Sequence, residues 1–124
     1  MKEDSRRIER MAGLLRHHLT DALHRELGDP ELLSLVVTHV EVSRDLSVAH
    51  IRVRRLATED SPEARKSVLS RLKRVTPRLR RALGPRMEIR KLPELRFVYD
   101  TGEDARDRVE VLLHEIHDEK KRNE

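Results

Sequence analysis

The 124-residue sequence has no cysteine and no tryptophan, and its only Phe and Tyr are Phe97 and Tyr99. Without cysteine, disulfides, thiol nucleophiles and cysteine-based zinc sites are excluded together. The shortage of aromatics bears on recognition. Single strands are usually held by bases stacked on aromatic side chains, so a nucleic acid met by this chain should be gripped through phosphates and shape. No apolar run is long enough to cross a bilayer, and the first residues, MKEDSRRIERM, lack the hydrophobic stretch of a secretory signal. We therefore expect a cytoplasmic protein that does not contact a membrane. The phosphate-cradling GXXXXGK[ST] and the GXSXG elbow are missing too, and no histidine converges with carboxylates in a catalytic pattern. No enzymatic activity and no cofactor are expected.

Acidic residues are missing from one stretch in particular, Arg65 to Lys91. Eleven of its 27 residues are Lys or Arg and only Glu88 is acidic, a local charge of +10. The whole chain carries +4, so the remainder sums to −6. A sign change this sharp marks a surface for a polyanion.

The same stretch is patterned. Val68, Leu72, Val75, Leu79 and Leu83 recur every three or four residues and predict one buried helical seam. Beside it, Arg71, Arg74, Arg78 and Arg81 form one rail of charge, and Lys66, Lys73 and Arg80 form another. Pro77 has no N–H to donate, and its ring crowds the carbonyl of Lys73. With Thr76 as N-cap and Pro77 in the first helical position, the spacing predicts two helices meeting at a kink. The free N–H groups of the second helix, near Arg78, would suit a phosphate.

The rest of the chain supports that element. Ile8, Met11, Ala12, Leu15, Leu19, Ala22, Leu23 and Leu27 predict a long amphipathic helix from about Ser5, closed by Gly28, Asp29 and Pro30. Arg6, Arg7 and Arg10 near its start are read as a solvated first turn. His17, Asp21 and His24 share one helical face, as do His114, His117 and Asp118 nearer the other end. Two histidines and a carboxylate on one exposed helix need a further ligand from elsewhere, so no metal is expected.

Next, Val36, Thr38, Val40 and Val42 alternate with Val37, His39 and Glu41. Ala49, Ile51 and Val53 then alternate with His50, Arg52 and Arg54. Ser43 to Ser47 are turn-compatible, which predicts a hairpin with Arg52 and Arg54 on its solvated face. An acidic link, ATEDSPE, leads to Ser61 as N-cap and Pro62 as first helical residue. Gly84 and Pro85 are expected to end the second basic helix. A third strand is expected through Met87, Ile89, Leu95, Phe97 and Tyr99, broken or bulged at Pro93. A last helix follows from Asp100 or Thr101, with Thr101 and Asp104 as a capping box and Val109, Leu112, Leu113 and Ile116 as its core stripe. One domain spanning 1–124 is expected, frayed at about 1–4 and 119–124.

This α+β order, with three strands on one side and helices on the other, resembles a type II K-homology (KH) domain. RELGDPEL at 25–32, VTHVEVSRDLSVAHIRV at 37–53 and LGPRMEIRKLPELRFVYD at 83–100 resemble the bacterial ribosome-binding factor A family more specifically. The resemblance implies a non-enzymatic, cytoplasmic, monomeric factor. It would bind the small (30S) ribosomal subunit and its 16S rRNA during late maturation and support growth in the cold. It also implies that the GXXG loop of ordinary KH domains is replaced by a helix kink, usually an alanine followed by a small residue and glycine. Here Val75, Thr76 and Pro77 stand at that point. The RNA-binding surface expected is the helix, kink and helix, through Lys66, Arg71, Lys73, Arg74, Thr76, Arg78, Arg80 and Arg81. From the residues alone, a protein-interaction module meeting an acidic partner fits the same basic face.

Overall fold

The computed structural model describes residues 2–25, 27–56 and 61–101. The expected last helix, the second histidine group, the carboxy-terminal fraying and most of the acidic link fall outside these residues.

Helix α1 spans Lys2–Arg25. Its stripe of Met11, Leu15, Leu19, Ala22 and Leu23 is buried, as the three-and-four spacing requires. The chain then reverses at Gly28, whose φ of +63° suits a residue without a side chain. One further helical turn, α2 (Pro30–Leu33), was not expected from the sequence. Asp29 caps it by accepting a hydrogen bond from the Glu31 N–H at 3.0 Å, and Leu32 plugs it into the core.

Strands β1 (Leu35–Val42) and β2 (Val48–Arg55) pair antiparallel, as expected. Asp45 organises their turn, accepting from the Ser43 hydroxyl at 2.8 Å and from the Ser47 hydroxyl at 2.7 Å. The buried face of β1 differs from simple alternation, because Leu35 and Val37 point inward and so do Val40 and Val42. The pairing slips between Val37 and His39, leaving Thr38 as the extra residue of a β-bulge. One extra residue resets the two-residue period, so both halves of the strand bury their valines.

Helix α3 runs without a break over Pro62–Met87, with both Pro77 and Pro85 inside it. The two helices expected on either side of Pro77 are therefore one, and Gly84 and Pro85 do not stop it. Each internal proline deletes one hydrogen bond and is costly, by about 3 kcal/mol in an isolated helix. Packing offsets this: Val68, Leu72, Leu79 and Leu83 are fully buried and Met87 nearly so. Burial of each such side chain contributes on the order of 1.5–3 kcal/mol. The helix ends at Glu88, which caps it in the left-handed region at φ 51°.

Strand β3 is shorter than expected, Glu94–Tyr99, and starts immediately after Pro93. Met87 belongs to the helix and Ile89 to the connection. Strand β3 lies parallel to β2, giving a three-stranded sheet in the order β1-β2-β3. Helices α1 and α3 cover one face and enclose the core with Ala49, Ile51, Val53 and Leu95. Two ties close the far end of the sheet. The Arg55 N–H donates to the Tyr99 hydroxyl at 3.0 Å, and the Thr38 hydroxyl donates to the Asp100 carboxylate at 2.6 Å.

Candidate nucleic-acid interface

Helix α3 provides the candidate surface because its inner and outer faces obey different rules. Ser61 starts it, its hydroxyl accepting from the Ala64 N–H at 3.1 Å, with Pro62 in the first turn. Leucines then fix the rotation of the helix against the sheet. That rotation decides which cations face water.

Lys66, Lys73, Arg74, Arg78 and Arg81 are exposed on the outer side. No acidic residue occurs in the chain from Ala64 to Met87, so the helix itself places no negative charge among them. Three further expected site residues are less exposed and are tied to other parts of the fold. Arg71 reaches back to α2, 3.3 Å from the Asp29 carboxylate and 3.5 Å from that of Glu31. Arg80 donates to the carbonyls of Pro93 at 2.6 Å and Leu92 at 3.2 Å, holding the connection that feeds β3. Thr76 is not an N-cap: it lies inside the helix, and its hydroxyl donates to the Leu72 carbonyl at 2.7 Å. With no helix start at Thr76, the free N–H groups expected near Arg78 are absent.

The sequence missed a neighbouring groove of about 500 Å³ between α3 and β3. Leu69, Pro77, Leu95 and Phe97 give it an apolar floor, and Lys73, Arg80, Arg96 and Glu94 stand around it, Glu94 paired with Arg96 at 3.2 Å. Phe97, the chain's single phenylalanine, is half-buried there. The period-two pattern of LRFVY was the available signal, but only the packing of α3 shows which side of the strand forms a wall.

The remaining expected groups have other partners. The Asp21 carboxylate is shared by Arg25 at 3.0 Å and Arg86 at 2.7 Å. His24 Nε2 lies 3.2 Å from the Leu35 carbonyl, to which it donates in the tautomer protonated there. Arg54 is exposed as expected, but Arg52 is mostly buried on the sheet, 3.4 Å from Glu41. Arg6, Arg7 and Arg10 are exposed, and Arg7 shares a small cleft with Arg44, Asp45 and Leu46 of the hairpin turn. Among the described residues no helix is long and apolar enough to cross a membrane.

A mixed three-stranded sheet backed by helices, with a cationic crossover helix, is the α+β arrangement of KH-like domains. The family model of ribosome-binding factor A matches residues 7–113. The chain is 40% identical over 113 residues to ribosome-binding factor A of Sorangium cellulosum, covering 91% of this chain and 90% of that one. It is also similar to the crystal structure of ribosome-binding factor A from Thermus thermophilus. The TM-score is 0.62 at 30% identity, over 74% of this chain and 94% of that one. A homology model of the Thermus thermophilus factor, fitted into the cryo-EM map of a 30S–RbfA complex, matches with a TM-score of 0.56 at 32% identity. That match covers 70% of this chain and 88% of the model. The chain belongs to the ribosome-binding factor A family.

Proposed function

We propose that this chain is a non-enzymatic assembly factor that binds 16S rRNA on the immature 30S subunit late in its maturation. It would act as a cytoplasmic monomer and matter most for growth in the cold. The outer face of α3 carries this reading: Lys66, Lys73, Arg74, Arg78 and Arg81 are exposed on a helix with no acidic residue between Ala64 and Met87, in a family with a member fitted into a 30S complex. Such cations neutralise phosphates and set affinity and pose, while specificity comes from the shape of the RNA. Binding stabilises one arrangement of the rRNA over its alternatives, and the factor is then released.

The test is co-sedimentation with small subunits on sucrose gradients, comparing wild type with an Arg74→Glu, Arg78→Glu, Arg81→Glu triple variant. The variant should retain its circular dichroism spectrum and lose co-sedimentation. If it sediments with subunits as wild type does, α3 is not the contact surface.

A further inference from the structure

We infer that the groove between α3 and β3 takes one unpaired base of an RNA strand, stacked on Phe97. This rests on the proposed rRNA binding and names the part of the RNA that enters the fold.

The apolar lining of the groove is drawn from two elements, Leu69 and Pro77 from α3 and Leu95 and Phe97 from β3. Leu69 and Phe97 pack against the core and still line the opening, so the surface is held in place before anything binds. Its volume of about 500 Å³ lies within the roughly 300–1,000 Å³ that small ligands occupy, enough for one base and its sugar.

The rim sets the charge of the occupant. Lys73, Arg80 and Arg96 stand there against a single acid, Glu94. Arg80 is committed to the carbonyls of Leu92 and Pro93. Lys73 is exposed, and the pairing of Arg96 with Glu94 at 3.2 Å is a surface contact that a phosphate displaces at little cost. The complementary occupant is apolar and flat in its middle and anionic at its edge, which describes a nucleotide.

Lys73 joins this groove to the outer side of α3, where Arg74 follows it, also exposed. A strand whose phosphates follow these cations can turn a base over the edge of the helix onto Phe97. Only an unpaired base can do so, because a duplex keeps the faces of its bases stacked inside and presents their edges. The chain's single phenylalanine is thus a stacking surface set among cations.

The experiment measures binding of the full chain to small subunits, to a single-stranded RNA of about eight nucleotides, to the duplex of the same sequence, and to the same strand made abasic. An acidic peptide of glutamate and phenylalanine is the fifth probe. The strand should bind more tightly than the duplex or the peptide, and about ten-fold more tightly than its abasic form, the worth of one stacked base. Phe97→Leu keeps an apolar floor and removes the aromatic face. It should weaken the intact strand about ten-fold while leaving the abasic strand and the salt dependence unchanged, and Phe97→Tyr should restore binding. Equal binding of intact and abasic strands by wild type overturns the inference, whether or not Phe97→Leu folds. So does an equal loss for both strands in Phe97→Leu, or a peptide that outbinds the strand, which would assign the groove to a protein. Subunit binding stands in each of these cases. A folded protein that binds no subunits overturns the reading beneath it.

Discussion

The guanidinium of Arg80 donates to the backbone carbonyl of Pro93 at 2.6 Å and to that of Leu92 at 3.2 Å. A residue that sequence places among the phosphate-binding cations is thus a strut between α3 and the entry to β3. Hydrogen bonds from charged donors contribute about 1.5–3 kcal/mol. Arg80→Ala should lower the thermal midpoint accordingly, whereas Arg81→Ala, whose side chain is exposed, should leave it within error. Equal midpoints for the two variants would show that the Arg80 bonds are not maintained in solution.

Asp29 does two jobs that substitution can separate. It caps α2 through the Glu31 N–H and lies 3.3 Å from Arg71. Asparagine keeps a capping oxygen but not the charge, and alanine keeps neither. Asp29→Asn should cost less than about 1 kcal/mol, as partly exposed ion pairs do. Asp29→Ala should cost about 1–2 kcal/mol in urea unfolding. Identical costs would mean that the ion pair, not the cap, is what Asp29 provides.

His50 sits on the central strand at 1% exposure, and among the described residues neither ring nitrogen has a hydrogen-bond partner. Burial lowers its pKa, the nearby positive charge of Arg96 lowers it further, and Glu94 opposes both. The folded chain therefore binds this proton more weakly than the unfolded chain. Stability from neutral His50 is complete above its unfolded value, near 6.5, and is lost as pH falls through the lower folded value. His50→Leu should flatten the acid side of a stability–pH curve and, having no unpaired nitrogens to bury, should be no less stable at neutral pH. An unchanged acid limb would assign that slope to other groups.

Glu88 ends α3 with φ 51°, a conformation that costs a residue with a β-carbon about 1–2 kcal/mol. Glu88→Gly should raise the unfolding free energy by up to about 1 kcal/mol, seen as a higher denaturant midpoint, after the greater freedom of glycine in the unfolded chain is counted. A lower midpoint would mean that the glutamate side chain contributes more than its backbone strain costs.

Much of this structure could be read before the chain was folded. The stripe of α1, the seam of α3, the hairpin with its Asp45 turn and the Ser61 cap are local signals, each contained within a few residues. What escaped depends on neighbours distant in sequence. Thr38 continues an unbroken alternation on paper, and only pairing with β2 reveals the bulge that reverses its phase. Pro77 and the Gly84–Pro85 pair carry strong stop signals, yet the buried leucines on either side outweigh them. The charge of the basic stretch was plain. Which cations remain available was not, because Asp29 lies 42 residues from Arg71 and Pro93 lies 13 from Arg80.

Strand β3 runs in the same direction as β2, so the chain must travel the full length of the sheet before it can pair again. Helix α3 makes that journey. The candidate interface is thus also a beam packed against the sheet along its buried side, through Val68, Leu72, Leu79, Leu83 and Met87, and a load applied to it passes into the sheet. A docking partner meets a surface already set in position and must itself do the bending.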